Sequence, residues 1–123
     1  MRFLCLIYLD EKQMAALPAP EMDSLNARHL DLNDDLRASG HFVEAEALEP
    51  STASVTLRLR NDKRSVIDGP FTEAKEMVAG FYLIDARDMT EAVEIASRFP
   101  SAPLGRVEIW PTRQLVVPGR AIT

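Results

Sequence analysis

Residues 2–9, RFLCLIYL, and residues 77–85, MVAGFYLID, are apolar at both sets of alternating positions. In the first segment Phe3, Cys5 and Ile7 fall on one side and Leu4, Leu6 and Tyr8 on the other. A strand with this pattern needs cover on both faces. Residues 41–50, HFVEAEALEP, alternate strictly, which predicts a strand with Phe42, Glu44, Glu46 and Leu48 on one face and His41, Val43, Ala45 and Ala47 on the other. SVTLRLR and RSVID flank Asn61-Asp62, a pair suited to a left-handed two-residue turn. Residues 54–67 therefore read as a hairpin that sets Leu57 opposite Val66 and Leu59 opposite Arg64. GRVEIWP, residues 105–111, makes the last strand.

Helical spacing occurs twice. Met22, Leu25, Leu32 and Leu36 form one apolar stripe whose remaining position is His29, and Gly40 supplies the C-terminal stop. Residues 10–20 read as a loop punctuated by Pro18 and Pro20, with Glu21 opening the helix. DMTE, residues 88–91, has the form of a capping box, and a second helix with Val93 and Ala96 inward runs to Pro100. Residues 112–123 have no helical period and read as a peripheral tail on a single domain spanning 1–123.

The order β-α-β-(hairpin)-β-α-β predicts an α+β fold of the ferredoxin-like type. Two helices cover only one sheet face. A second copy packed sheet to sheet would cover the other, so the pattern predicts a homodimer.

Composition narrows the partners. Nineteen acidic against fourteen basic residues give a net charge of −5, and the basic residues gather no further than Arg58, Arg60, Lys63 and Arg64, which argues against nucleic acid. No run approaches the roughly 20 apolar residues of a membrane span, and the N-terminal run is too short for a signal peptide. Cys5 is the only cysteine, so no internal disulfide is possible and the expected compartment is the cytoplasm. Glycines at 40, 69, 80, 105 and 119 are too scattered for a phosphate-binding loop, and no cofactor is expected.

DGPFTEAKEMVAGFYLID, residues 68–85, resembles the signature of the DGPF branch of the YCII-related proteins. MRFLCLIYLDE, LRASGHFVEAEALEP, SVIDGPFTEAKE, DMTEAVEIASRFP and GRVEIWP extend the likeness over nearly the whole chain. The resemblance implies a dimeric α+β barrel. It also implies kinship with small enzymes of the muconolactone-isomerase type, in which a first-helix histidine acts with an aspartate preceding a proline after the second helix. His29 matches the histidine; Phe99-Pro100 stands where the Asp-Pro pair would fall, so the dyad is incomplete. DGPF proteins are further associated with regulatory partners of the extracytoplasmic sigma-factor class.

Each candidate residue has a structural alternative. His29 is either a packed histidine satisfied by a hydrogen bond or a general acid/base in a pocket between the first helix and the sheet. Asp68 either accepts backbone N–H bonds in the turn or replaces the missing carboxylate, and Phe71 is an apolar anchor or pocket wall. Thr72 would cap a short turn over Glu73–Glu76, leaving Lys75 as a solvated charge or the receiver of an anionic ligand. Glu44 and Glu46 either pair across strands with Arg58 and Arg60, or Glu46 shuttles a proton from a semi-apolar cavity. Tyr8 and Tyr82 are core, interface or pocket aromatics. His29 and His41 with these carboxylates lack metal-ligand spacing, and no metal is expected. Two functions follow: a small-molecule-binding protein or cofactor-independent acid/base enzyme centred on His29, Asp68 and Glu46, or a non-catalytic dimeric module that binds a regulatory protein.

Overall fold

The computed structural model describes residues 1–121. Strand β1 is Arg2–Asp10, helix α1 Glu11–Ala15, α2 Ala19–Ala38, β2 Phe42–Ala47, β3 Val55–Arg60, β4 Lys63–Asp68, β5 Glu76–Asp85, α3 Met89–Ala96, β6 Gly105–Pro111, and a short pair β7 Val116–Val117 and β8 Arg120–Ala121 follows. Four strands form one antiparallel sheet in the order β2-β5-β1-β6, while β3 and β4 form a separate hairpin inserted between β2 and β5. This is a ferredoxin-like α+β arrangement.

Both long helices lie on one sheet face. Leu32 and Leu36 of α2 and Ala92, Ile95 and Ala96 of α3 share one core with Phe3, Cys5, Ile7 and Leu9 of β1 and Tyr82 and Ile84 of β5. The alternate set, Leu4, Leu6 and Tyr8 with Phe81 and Leu83, is only half-buried, and Trp110 in the neighbouring strand is 57% exposed.

Several elements form as the residues predict. Beyond the C-terminus of α2 Gly40 takes φ +81°, the Gly40 N–H donates to Arg37 O at 3.2 Å and the His41 N–H to Leu36 O at 2.9 Å. This is the paired arrangement that satisfies the last free carbonyls of a helix. Asn61 and Asp62 take φ 49° and 61°, and the hairpin register sets Leu57 against Val66 and Leu59 against Arg64.

Other expectations are corrected. The segment after Asp10 is not all loop: the Asp10 carboxylate accepts from the Lys12 and Gln13 N–H groups at 3.0 and 3.3 Å and caps α1. Helix α2 begins at Ala19 rather than Glu21, with Pro20 in the first turn where its missing N–H costs nothing. In α3 the inward residues are Ala92, Ile95 and Ala96, while Val93 is 47% exposed. The Asp88 carboxylate caps the Glu91 N–H at 2.9 Å, but Glu91 reaches back to the Arg87 N–H, one residue outside the usual capping box. No helical turn forms over Glu73–Lys75, and Glu76 already belongs to β5. Residues 116–121 pair as the exposed β7–β8 hairpin; Ile122 and Thr123 of the expected tail lie outside the described residues.

The largest correction lies in β2. Phe42 pairs with Ile84 and Glu44 with Leu83, so Val43 is an extra residue that shifts the register. Such a bulge flips every following side chain relative to strict alternation. Phe42, Ala45 and Ala47 consequently share the helix-covered face, and Glu44 and Glu46 turn to the other.

Candidate functional site

The floor beneath the helices changes from large to small along the strands. Phe42, Ile84 and Phe3 make one cross-strand row, Ala45, Tyr82 and Cys5 the next, and Ala47, Gly80 and Ile7 the third. Gly80 has to stay small, because a Cβ there would come within 2.8 Å of the Glu46 carbonyl oxygen. Over this small-residue floor the N-terminal half of α2 fails to reach the sheet. A cavity of about 880 Å³ remains, walled by Met22, Leu25, Asn26 and His29 of α2 and by Met14 of α1. Its size falls in the range of small-molecule sites, and its surface is mainly apolar, with Glu11, Lys12, Glu46 and Glu49 among the charged side chains on its border.

Four of the polar side chains on its border are connected. The Tyr82 hydroxyl donates to Asn33 Oδ1 at 2.6 Å and lies 2.9 Å from His29 Nδ1; His29 Nε2 lies 3.0 Å from Ser101 Oγ. Since the Tyr82 proton goes to Asn33, its oxygen accepts from an Nδ1–H of His29. The neutral ring then has Nε2 as an acceptor, and Ser101 donates to it. All four side chains border the cavity.

Burial shapes the electrostatics. It lowers the His29 pKa from its usual value, with repulsion from Arg28 as the smaller cause, so the neutral ring is favoured. Burial alone raises Tyr82 to about 12 and keeps its proton in place. The Tyr82 ring is held by Phe99, stacked at 4.3 Å between centroids, and by the edge of Phe42 at 6.5 Å.

Of the residues singled out from sequence, only His29 and Tyr82 come together. Glu46 borders the cavity but is exposed, and pairs with Phe81 in the alternation set turned away from α2. Asp68 ends the exposed β4 strand opposite Val55 and does not line the cavity. Phe71 is 69% exposed with the Arg58 guanidinium 4.8 Å from its ring centre. Lys75 borders a separate depression of about 360 Å³ with Asp10, Glu11 and Lys12. Tyr8 lies on the uncovered face, under the Arg106 guanidinium at 4.1 Å and 3.4 Å from Glu108 Oε1. Pairing of Glu44 and Glu46 with Arg58 and Arg60 is not formed among the described residues, because β2 and β3 belong to different sheets. The Glu44 carboxylate instead accepts from the Ala45 N–H at 3.0 Å.

Sequence reasoning missed Asn33 and Ser101. Asn33 had a readable signal, one helical turn after His29 on the same stripe. Ser101 had none, since it meets His29 from 72 residues away. It follows Phe99-Pro100, so the segment that lacks an aspartate still delivers a polar group to the histidine. Among the described residues no three His, Cys, Asp or Glu side chains converge as a metal site would require, and no helix is long and apolar enough to cross a membrane.

The chain matches the family model of the YCII-related domain over residues 1–115. It is also similar to a Rhizobium meliloti (strain 1021) protein called "Uncharacterized protein R00369", with 32% identity over 113 residues that cover 90% of this chain and 91% of that protein. With its ferredoxin-like sheet and a family match over nearly its full length, the chain belongs to the YCII-related domain family.

Proposed function

We propose that the protein binds a small, largely apolar organic molecule in the cavity between α2 and the sheet and acts on it by acid/base chemistry through His29. The observation that carries this reading is the His29–Tyr82–Asn33–Ser101 network bordering a mainly apolar hollow. A leucine at position 29 would fit the stripe better than a half-buried imidazole if packing were all that mattered. The ring is instead kept neutral, with Nδ1 fixed as donor and Nε2 available to take a proton, as general-base work near neutral pH requires. In this reading Asp68, which lies outside the cavity, has no part, while Glu46 borders it without joining the network.

A second copy of the chain is proposed to cover the half-buried row of Leu4, Leu6, Phe81 and Leu83, sheet to sheet. Cys5, buried as a free thiol raised to about 11, suits a reducing compartment, and we assign the protein to the cytoplasm on that ground.

The test is a thermal-stabilisation screen of the pure protein against small aromatic and lactone-like compounds. A concentration-dependent rise in Tm that disappears in His29→Ala supports the reading. No rise with any compound, or a rise that His29→Ala leaves intact, overturns it.

The alternative, a dimeric module for a regulatory protein partner, draws support from the β3–β4 hairpin. It projects Val55, Leu57, Leu59 and Val66, each more than half exposed, among Arg58, Arg60, Lys63 and Arg64.

A further inference from the structure

Ser101 is buried, at 3% exposure, and it nevertheless borders the cavity. It occupies the N-cap position of the short turn Ala102–Leu104, where a serine hydroxyl ordinarily accepts a backbone N–H. Here it makes no cap hydrogen bond. The hydroxyl is directed at His29 Nε2 instead, at 3.0 Å.

The order of partners is that of an activated nucleophile: hydroxyl, imidazole, then a group that orients the imidazole. Tyr82 takes the third place, accepting the Nδ1–H at 2.9 Å, and is itself held by Asn33 at 2.6 Å. Resting on the ligand-site reading above, we propose that Ser101 is a nucleophile, with His29 as its base and Tyr82 as a positioning residue, and that it accepts the acyl group of a small uncharged ester or lactone.

The step balances with water as the only co-reactant. His29 Nε2 takes the Ser101 hydroxyl proton as Oγ bonds to the carbonyl carbon. The tetrahedral intermediate collapses with loss of the ester C–O bond, and the departing alkoxide takes the proton from Nε2. Water, deprotonated by the same nitrogen, then cleaves the acyl–Oγ bond, which releases the acid and restores the serine. Asn26, one turn before His29 on the same cavity wall, offers an amide N–H for the carbonyl oxygen. The cavity's surface is mainly apolar, which favours an uncharged acyl group, and the carboxylates of Glu11, Glu46 and Glu49 on its border disfavour an anionic one. Tyr82 brings no negative charge to the imidazolium, in contrast to the carboxylate of serine hydrolases, so both half-reactions are slow; with an activated ester, whose leaving group departs without a proton, deacylation is the slower and the acyl-enzyme accumulates.

The experiment uses the full chain with 4-nitrophenyl butanoate and, in parallel, the uncleavable ketone analogue of that ester. The expected result is a burst approaching one nitrophenolate per chain and one butanoyl group mapped by peptide mass to Ser101 of the unsubstituted protein. The burst is absent in Ser101→Ala and slowed by at least about 100-fold in His29→Ala, the usual contribution of a general base. Tyr82→Phe retains the adduct but changes the pH profile of acylation. Tm stabilisation by the ketone reports on the cavity independently of chemistry. Stabilisation without an adduct at Ser101, or with an adduct on another residue, overturns the nucleophile and leaves the ligand site standing. No stabilisation and no adduct overturn both.

Discussion

The helix-covered face of the sheet has two halves that share the same strands and differ in the size of their floor residues. Beneath α3 and the C-terminal half of α2, Phe3, Ile84, Leu36 and Phe99 close a dry core in which each is no more than 1% exposed. Beneath the N-terminal half of α2 the corresponding floor is Ala45, Ala47 and Gly80, and the space is a cavity of about 880 Å³. Close-packed interiors tolerate few voids larger than a water molecule. A hollow of this size beside a core of ordinary density is therefore a feature the sequence specifies, and it is specified by small residues at three neighbouring strand positions. His29 and Tyr82 stand at the boundary between the halves, where the Phe99 ring stacks on Tyr82 and fixes one end of the polar network.

The comparison breaks first in stability. Phe99→Ala opens a void in the packed half and is expected to cost about 3–5 kcal/mol, whereas Met22→Ala, which only enlarges an existing hollow, costs under about 1 kcal/mol. Urea denaturation of both variants checks this, and equal costs would mean the two halves are packed alike. Filling the hollow comes next. Ala47→Leu is expected to change stability by less than about 1.5 kcal/mol while abolishing ligand-induced stabilisation, read in the same thermal screen. Removal of the α3 cap by Asp88→Ala sharpens the contrast from the other side: about 1 kcal/mol is lost, and ligand stabilisation is unchanged.

The smallest effect is a pH slope. His29 is held below its ordinary pKa chiefly by burial, so protonating it costs more in the folded chain than in the unfolded one. Above the unfolded value of about 6.5 this term is absent; it destabilises as pH falls through that value and levels off below the folded one. Glu11 and Glu91, whose pKa values are lowered by hydrogen bonds from Ser51 and from the Arg87 backbone, lose stability in a more acidic window. Between pH 7 and 5.5 the native chain is therefore expected to lose more stability than His29→Gln, as measured by the urea midpoint at each pH.

Much of this architecture was legible in the residues. The strands apolar on both sides, the hairpin turned by Asn61-Asp62 and the stripe interrupted by His29 follow from period and turn chemistry, which are local properties. The bulge at Val43 was not legible, since the residue itself is an ordinary strand former and only pairing with β5 reveals the extra position. That one residue misassigned Glu44 and Glu46 to the face of Phe42. Helix α1 was overlooked although Asp10 followed by Glu-Lys-Gln-Met-Ala has both a cap and good helix formers. Asp68 drew attention through its turn, yet the turn belongs to a hairpin outside the four-stranded sheet. The partner that His29 does find, Ser101, is set by tertiary packing alone.

The most direct measurement is nitrogen-detected NMR of the imidazoles in the native chain at pH 7, followed during titration with the aromatic and lactone compounds. The chain has two histidines, so His41 serves as the internal reference. The account predicts a neutral His29 ring protonated at Nδ1 whose signals move saturably with a binding compound while those of His41 stay fixed. A His29 ring charged at pH 7, or one that no compound in the set moves, would contradict it.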